Sequence, residues 1–137
     1  MKVAVIGATG LVGQKMLQVL DEQNLPIDEL IVAASEKSVG KKIIFKDKEY
    51  TLISVDQAVE KKPNIAIFSA GAEVSLQYAK KFAANGTYVI DNSSAWRRDT
   101  DIPLVVPEIN ASDITVDNHI IANPNCTTIC MLMALAP

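Results

Sequence analysis

Apolar and polar positions change period repeatedly along the chain. "KVAVI" (Lys2–Ile6) is a short unbroken apolar run closed by Gly7, the pattern of a strand buried on both faces. Over residues 11–23 apolar side chains fall at Val12, Met16, Val19 and Leu20, with Gln14, Lys15, Gln18 and Asp21 between them. That spacing predicts a helix burying those four apolar residues. A second strand is expected over residues 29–34, and "GKKIIFKDKEYTLISV" reads as two β-rich segments turning at "KDK", a hairpin around Asp47. "NIAIFSAG" predicts a buried strand ending at Gly71, followed by a helix over residues 73–85 with Leu76, Ala79 and Ala83 on one face. "TYVIDNSS" predicts a further strand, "LVVPEIN" an extended piece interrupted by Pro107, and residues 119–122 a short strand before an apolar last helix.

Strands that alternate with helices in this way specify a mostly parallel sheet with helices on both faces. The expected fold is therefore a doubly wound α/β domain, one unit over residues 1–137. Composition agrees, with 49% hydrophobic and 21% charged residues excluding a disordered chain. A net charge of −3 gives no electrostatic basis for binding nucleic acid or an anionic membrane. No apolar run reaches membrane-spanning length, and the glycines and polar sequel of "MKVAVIGATG" argue against a signal peptide. Cys126 and Cys130 lie four apart in one expected helix, too close in register for a framework disulfide. No Cys or His cluster offers a metal site, and a reducing cytoplasm is the expected setting.

The first candidate site is "GATGLVG", which sets Gly7, Gly10 and Gly13 three apart, directly after the first strand and opening the first helix. Glycine there permits a tight turn, a close backbone approach to a diphosphate and close packing of helix on sheet. The free N–H groups and the positive dipole end of the helix favour a phosphate. This context points to a Rossmann-like NAD(P)-binding domain, with Thr9 and Leu11 lining the loop through main-chain groups. A glycine turn that merely connects strand to helix is the plainer alternative. The second strand ends "AASEKS". Ser35, Lys37 and Ser38 suit a 2′-phosphate and favour NADP over NAD, while Glu36 opposes it. A solvated Glu36–Lys37 loop pair explains the same residues nearly as well.

The second candidate is "NPNCTT", with Pro124 at a helix start and Asn125 or Thr127 as the cap. A thiol in that first turn is favoured as thiolate by the helix dipole, and the same N–H groups would stabilise an oxyanion. The plain alternative is a small buried side chain, as expected for Cys130 among Ile129, Leu132 and Met133. Joined to a nicotinamide, a nucleophilic Cys126 suggests aldehyde oxidation through a hemithioacetal, or the reverse reduction of a thioester.

Read in order, "VAVIGATGLVG", "FSAG", "DNSSAWR", "PLVVPEIN" and "NPNCTT" span essentially the whole chain. The set resembles the amino-terminal, cofactor-binding part of aspartate-semialdehyde dehydrogenases. The resemblance implies that Cys126 is the nucleophile, that Asn125 shapes its site, and that Arg97 binds the substrate's phosphate or inorganic phosphate. Thr9, Gly10, Leu11 and Val12, with Lys37 and Ser38, would contact NADP, and the loop Ser69, Ala70 and Gly71 would pass under it. Lys37 stands where relatives often carry arginine, which implies a looser grip on the 2′-phosphate. The implied reaction reduces aspartyl phosphate to aspartate semialdehyde with NADPH, on the way to lysine, threonine and methionine, in a homodimer or homotetramer.

The same resemblance implies a second, C-terminal substrate and dimerisation domain that is not in this chain, and with it the proton-transferring histidine. His119 precedes the cysteine and is expected to be structural or at the surface. The chain is then expected to bind NADP and turn over poorly. Two rival readings are the related reductase of N-acetylglutamyl phosphate, whose cysteine usually follows glycine where Asn125 stands here, and a non-catalytic nucleotide-binding module. The tyrosine–lysine pair of short-chain dehydrogenases is absent, since Tyr50, Tyr78 and Tyr88 are followed four residues on by Ser54, Phe82 and Asn92.

Overall fold

In the computed structural model, which describes residues 1–136, each predicted buried strand is present. The chain runs β1 (Lys2–Ile6), α1 (Leu11–Glu22), β2 (Glu29–Ala33), β3 (Lys42–Phe45), β4 (Lys48–Thr51), α2 (Val55–Glu60) and β5 (Ile65–Phe68). It continues through α3 (Ala72–Ala84), β6 (Tyr88–Asp91), α4 (Pro107–Asn110), β7 (Ile120–Ala122) and α5 (Cys126–Leu135). Five strands form a parallel sheet in the order β2–β1–β5–β6–β7. Single parallel bridges, Ala33 to Ile53 and Leu104 to Ala122, extend it at both edges. The chain therefore starts mid-sheet, builds one side, and crosses to build the other. The reversal between β1 and β5 opens a crevice at the carboxyl ends of the strands, where doubly wound folds bind ligands.

One face of the sheet packs Ile6, Ile31, Phe68 and Val89 against α2 and α3, with Phe82 meeting Phe68 edge-on at 5.4 Å. The other packs Val3, Val5 and Val32 against Leu17 and Leu20 of α1 and against Phe45 of the hairpin. Each such buried side chain stabilises the fold by about 1.5–3 kcal/mol. The hairpin turns as expected, with Lys46 and Asp47 at φ 47° and 60°, the left-handed pair that a two-residue turn of matching twist requires. On the α1 face the cover stops short of β6, leaving Tyr88 and Ile90 exposed in register with Ile65 and Ile67.

Four expectations need correction. α1 has the predicted span and period, but it buries Gly13, Leu17 and Leu20 and leaves Val12 and Val19 exposed. Contact between Gly13 and the Gly7 carbonyl draws that stripe onto the sheet, about 100° around the helix from Val12. In α3 the buried face is Ser75, Ala79 and Phe82, with Leu76 exposed. A polar residue is tolerated there because Ser75 Oγ accepts a hydrogen bond from Trp96 Nε1 at 2.8 Å. α2 was not expected. Its start is a capping box in which Ser54 Oγ accepts from Gln57 N at 3.2 Å and Gln57 Oε1 accepts from Ser54 N at 3.0 Å. Finally, "LVVPEIN" is extended through Val106, as expected, but beyond Pro107 it forms the short α4 rather than more extended chain.

Candidate active site

After β1 the chain must reverse into α1 within four residues. Gly7 does this at φ 89°, and a Cβ on it would stand 2.5 Å from the carbonyl oxygen of Ser69. Gly13 is pressed still closer to the Gly7 carbonyl, so a side chain there would overlap backbone. The turn is tied to both neighbouring strands. Gly7 N and Ala8 N donate to Ala33 O at 2.8 and 3.1 Å, and Ser69 N donates to Ile6 O at 2.8 Å. Gln14 Nε2 holds the carbonyl of Thr9 at 3.1 Å. Gly10 caps α1 without a side chain, and no acid stands in the first turn. The first N–H groups of α1 are thus open to an anion.

A cleft of about 240 Å³ forms beside this turn. It gathers Gly7, Thr9, Gly10, Ser35, Ser69 and Ala70, all anticipated at the cofactor, against apolar residues Ala34, Val55 and Val74 that were not. Ala34 follows the end of β2, while Val55 opens the unexpected α2, so only their position could have flagged them. Leu11 and Val12 expose their side chains and bring main-chain N–H groups to the turn. Lys37 and Ser38 lie outside the cleft lining, in the 3₁₀ turn that Ser38 N closes on Ser35 O at 2.8 Å. Gly71 caps α3. A larger groove of about 610 Å³ runs between α1 and the hairpin, lined by Gln14, Gln18, Asp21, Phe45 and Lys46. It lacks the helix N-terminus and close backbone approach that a diphosphate needs, so the smaller cleft is the better cofactor site.

Because β1 and β7 are parallel, the glycine turn and the start of α5 share one edge of the sheet, three strand spacings or about 14 Å apart. Pro124 is buried, and Asn125 is the cap of α5, accepting a hydrogen bond from Thr127 N at 2.9 Å. Cys126 is the first residue of the helix, exposed, with Sγ 3.8 Å from Asn125 Oδ1. Cys130, expected in the core, is also exposed. The apolar run suggested burial, yet no described residue of α5 is buried, and only Thr128, Ile129 and Leu132 are partly covered. Both thiols are free.

Arg97 is held by main-chain carbonyls at the ends of β6 and β7, with Nε donating to Asn123 O at 2.9 Å and Nη2 to Asn92 O at 3.0 Å. These bonds use two of the five donors of a guanidinium. Asn123 Nδ2 in turn donates to Asn92 Oδ1 at 2.7 Å. His119 stands before β7, at the end opposite to Cys126, with its ring stacked on Tyr88 at 4.8 Å. No group of His, Cys, Asp and Glu among the described residues is arranged to hold a metal. No helix among them is long and apolar enough to cross a membrane.

Known proteins match this arrangement. The model of the semialdehyde dehydrogenase NAD-binding domain matches residues 2–116. The aspartate-semialdehyde dehydrogenase of Aquifex aeolicus is 53% identical, over 99% of this chain and 41% of its own length. Aspartate semialdehyde dehydrogenase II of Vibrio cholerae, solved in complex with ASA, superposes with a TM-score of 0.92 at 49% identity, covering 98% of this chain and 44% of that one. The Candida albicans enzyme, solved with NADP, gives 0.81 at 25% identity, covering 98% and 45%. This chain thus spans less than half the length of these relatives. With its parallel sheet, glycine turn and terminal cysteine helix, the chain belongs to the family of semialdehyde dehydrogenase NAD-binding domains.

Proposed function

We propose that this chain is the cofactor-binding part of an aspartate-semialdehyde dehydrogenase, working with NADP(H) in a reducing cytoplasm. The observation that carries this reading is the shared sheet edge, with an anion-ready glycine turn at one end and an exposed thiol on a helix tip at the other. The cleft residues fit a dinucleotide: open N–H groups for its diphosphate, Ser35 at the ribose side, and an apolar wall for its rings. NADPH bound there would supply hydride. Cys126 would attack the acyl carbon of aspartyl phosphate as thiolate, forming a thioester and releasing phosphate. The first N–H groups of α5 that the Asn125 cap leaves open would hold the developing oxyanion, and the unused donors of Arg97 the phosphate.

NADP rather than NAD is favoured by Ser35 and by Lys37, which makes no ion pair among the described residues and is free to meet a 2′-phosphate. Little turnover is expected from the chain alone, since its histidine stands at the far end of β7 from the thiol. A larger assembly, a homodimer or homotetramer of a longer protein, belongs to the same proposal. Fluorescence titration with NADPH and NADH tests it. NADPH should bind more tightly, and Lys37→Ala should weaken NADPH more than NADH. Absence of binding, or binding unaffected by Gly10→Val in the turn, would overturn the reading.

A further inference from the structure

Beyond the last ladder pair, Asp91 with Ala122, β6 and β7 diverge into two loops. One carries Arg97 and the other, four residues past Ala122, carries Cys126. The loops are bound together at one point. Asn123 N donates to Asp91 O at 2.8 Å, the amides of Asn123 and Asn92 meet at 2.7 Å, and Arg97 bonds the carbonyls of both asparagines. Asn123 also precedes the buried Pro124, which restricts it to extended backbone and passes its position directly to the α5 cap.

We propose that Asn92 and Asn123 are positioning residues, whose amide–amide bond sets the spacing between the Arg97 guanidinium and the Cys126 thiol. The bond is a clamp across two loops whose sequence separation is 31 residues. Removing it leaves Asn123 held only by its main-chain bond to Asp91 and by Arg97, and so loosens both the guanidinium and the turn that holds the thiol. This rests on the reading that Arg97 holds a phosphate beside Cys126.

The test exploits the direction of the bond. Asn92→Asp keeps the acceptor, whereas Asn123→Asp removes the donor, and both add one carboxylate at the same place. The readout is labelling of Cys126 by iodoacetamide at neutral pH, with and without inorganic phosphate. Fragment-ion mass spectrometry compares it with Cys130 in the same molecule. NADPH affinity and melting temperature report the fold. Phosphate should protect Cys126 in the wild type and in Asn92→Asp, while in Asn123→Asp protection weakens roughly two- to tenfold, the worth of one hydrogen bond. NADPH affinity should not move. If Asn123→Asp fails to fold, Asn92→Leu replaces it with the same expected loss. Full protection in the bond-breaking variant overturns the clamp. Absence of protection in the wild type overturns instead the phosphate reading beneath it.

Discussion

Asn125 Oδ1 accepts a hydrogen bond from Thr127 N at 2.9 Å and lies 3.8 Å from Cys126 Sγ, so one side chain both starts α5 and borders its thiol. The two roles are separable. Asn125→Ala removes the cap and should lower stability by about 1 kcal/mol. Asn125→Asp keeps an equally good cap but sets a carboxylate against the sulfur. It should melt like the wild type yet label with iodoacetamide about fivefold more slowly at neutral pH, the effect of a unit charge ~4 Å away in water. Unchanged labelling in that variant would mean the side chain only caps.

The glycine turn leaves no room for a side chain at Gly13, while a Cβ on Gly10 would stand 3.3 Å from its nearest neighbour, the Gly7 oxygen. Gly13→Ala should therefore cost about 1–3 kcal/mol of overpacking and abolish NADPH binding. Gly10→Ala should cost less and retain measurable binding. Thermal melts and fluorescence titration of the two variants check the order, and a reversed order would contradict the packing described here.

Much of this site was legible in the sequence. Gly7, Thr9, Gly10, Ser35 and Ser69 meet in one cleft because each sits at a strand end or the following turn, and local pattern reports those positions well. The exposure of Val12 and Val19 was not legible. Period alone fixes a helix but not its rotation, which here follows from Gly13 touching Gly7. Helix α2 is six residues long, too short for periodicity, and only its Ser54–Gln57 capping box marks it. The Asn92–Asn123 clamp joins loops distant in sequence, and no local signal reports such a pair. Cys130 misled for the opposite reason: an apolar run indicates what a helix could bury, not what covers it.

Lys2 and Glu29 face each other across the β1–β2 ladder, and their side chains meet at 3.3 Å with Lys61 3.4 Å from the same carboxylate. The hydrogen bond from Lys2, helped by Lys61, outweighs burial and holds the Glu29 carboxyl below its ordinary value. Its folded value lies below its unfolded one, so its contribution is present above about pH 4.3 and is lost as pH falls through the lowered folded value. These side chains are 39–49% exposed, which limits the contribution to roughly 0–1 kcal/mol. Glu29→Gln should melt slightly below the wild type at neutral pH, and the gap should close in acid. A gap that persists at low pH would assign it to packing instead.

Trp96, the chain's one tryptophan, is buried and donates its indole N–H to the buried Ser75 hydroxyl. Ser75→Ala strands that donor and should cost about 1–3 kcal/mol. Denaturant unfolding followed by tryptophan fluorescence measures it. A loss near zero would mean that water or another acceptor replaces the serine.

The most direct measurement is where a nicotinamide dinucleotide binds, read from a crystal structure of the chain with NADP. The diphosphate should lie on the first N–H groups of α1 over Gly7 to Gly13, with the ribose by Ser35 and the nicotinamide directed along the sheet edge toward Cys126. Density in the groove between α1 and the hairpin, or a nicotinamide turned away from that thiol, would contradict it.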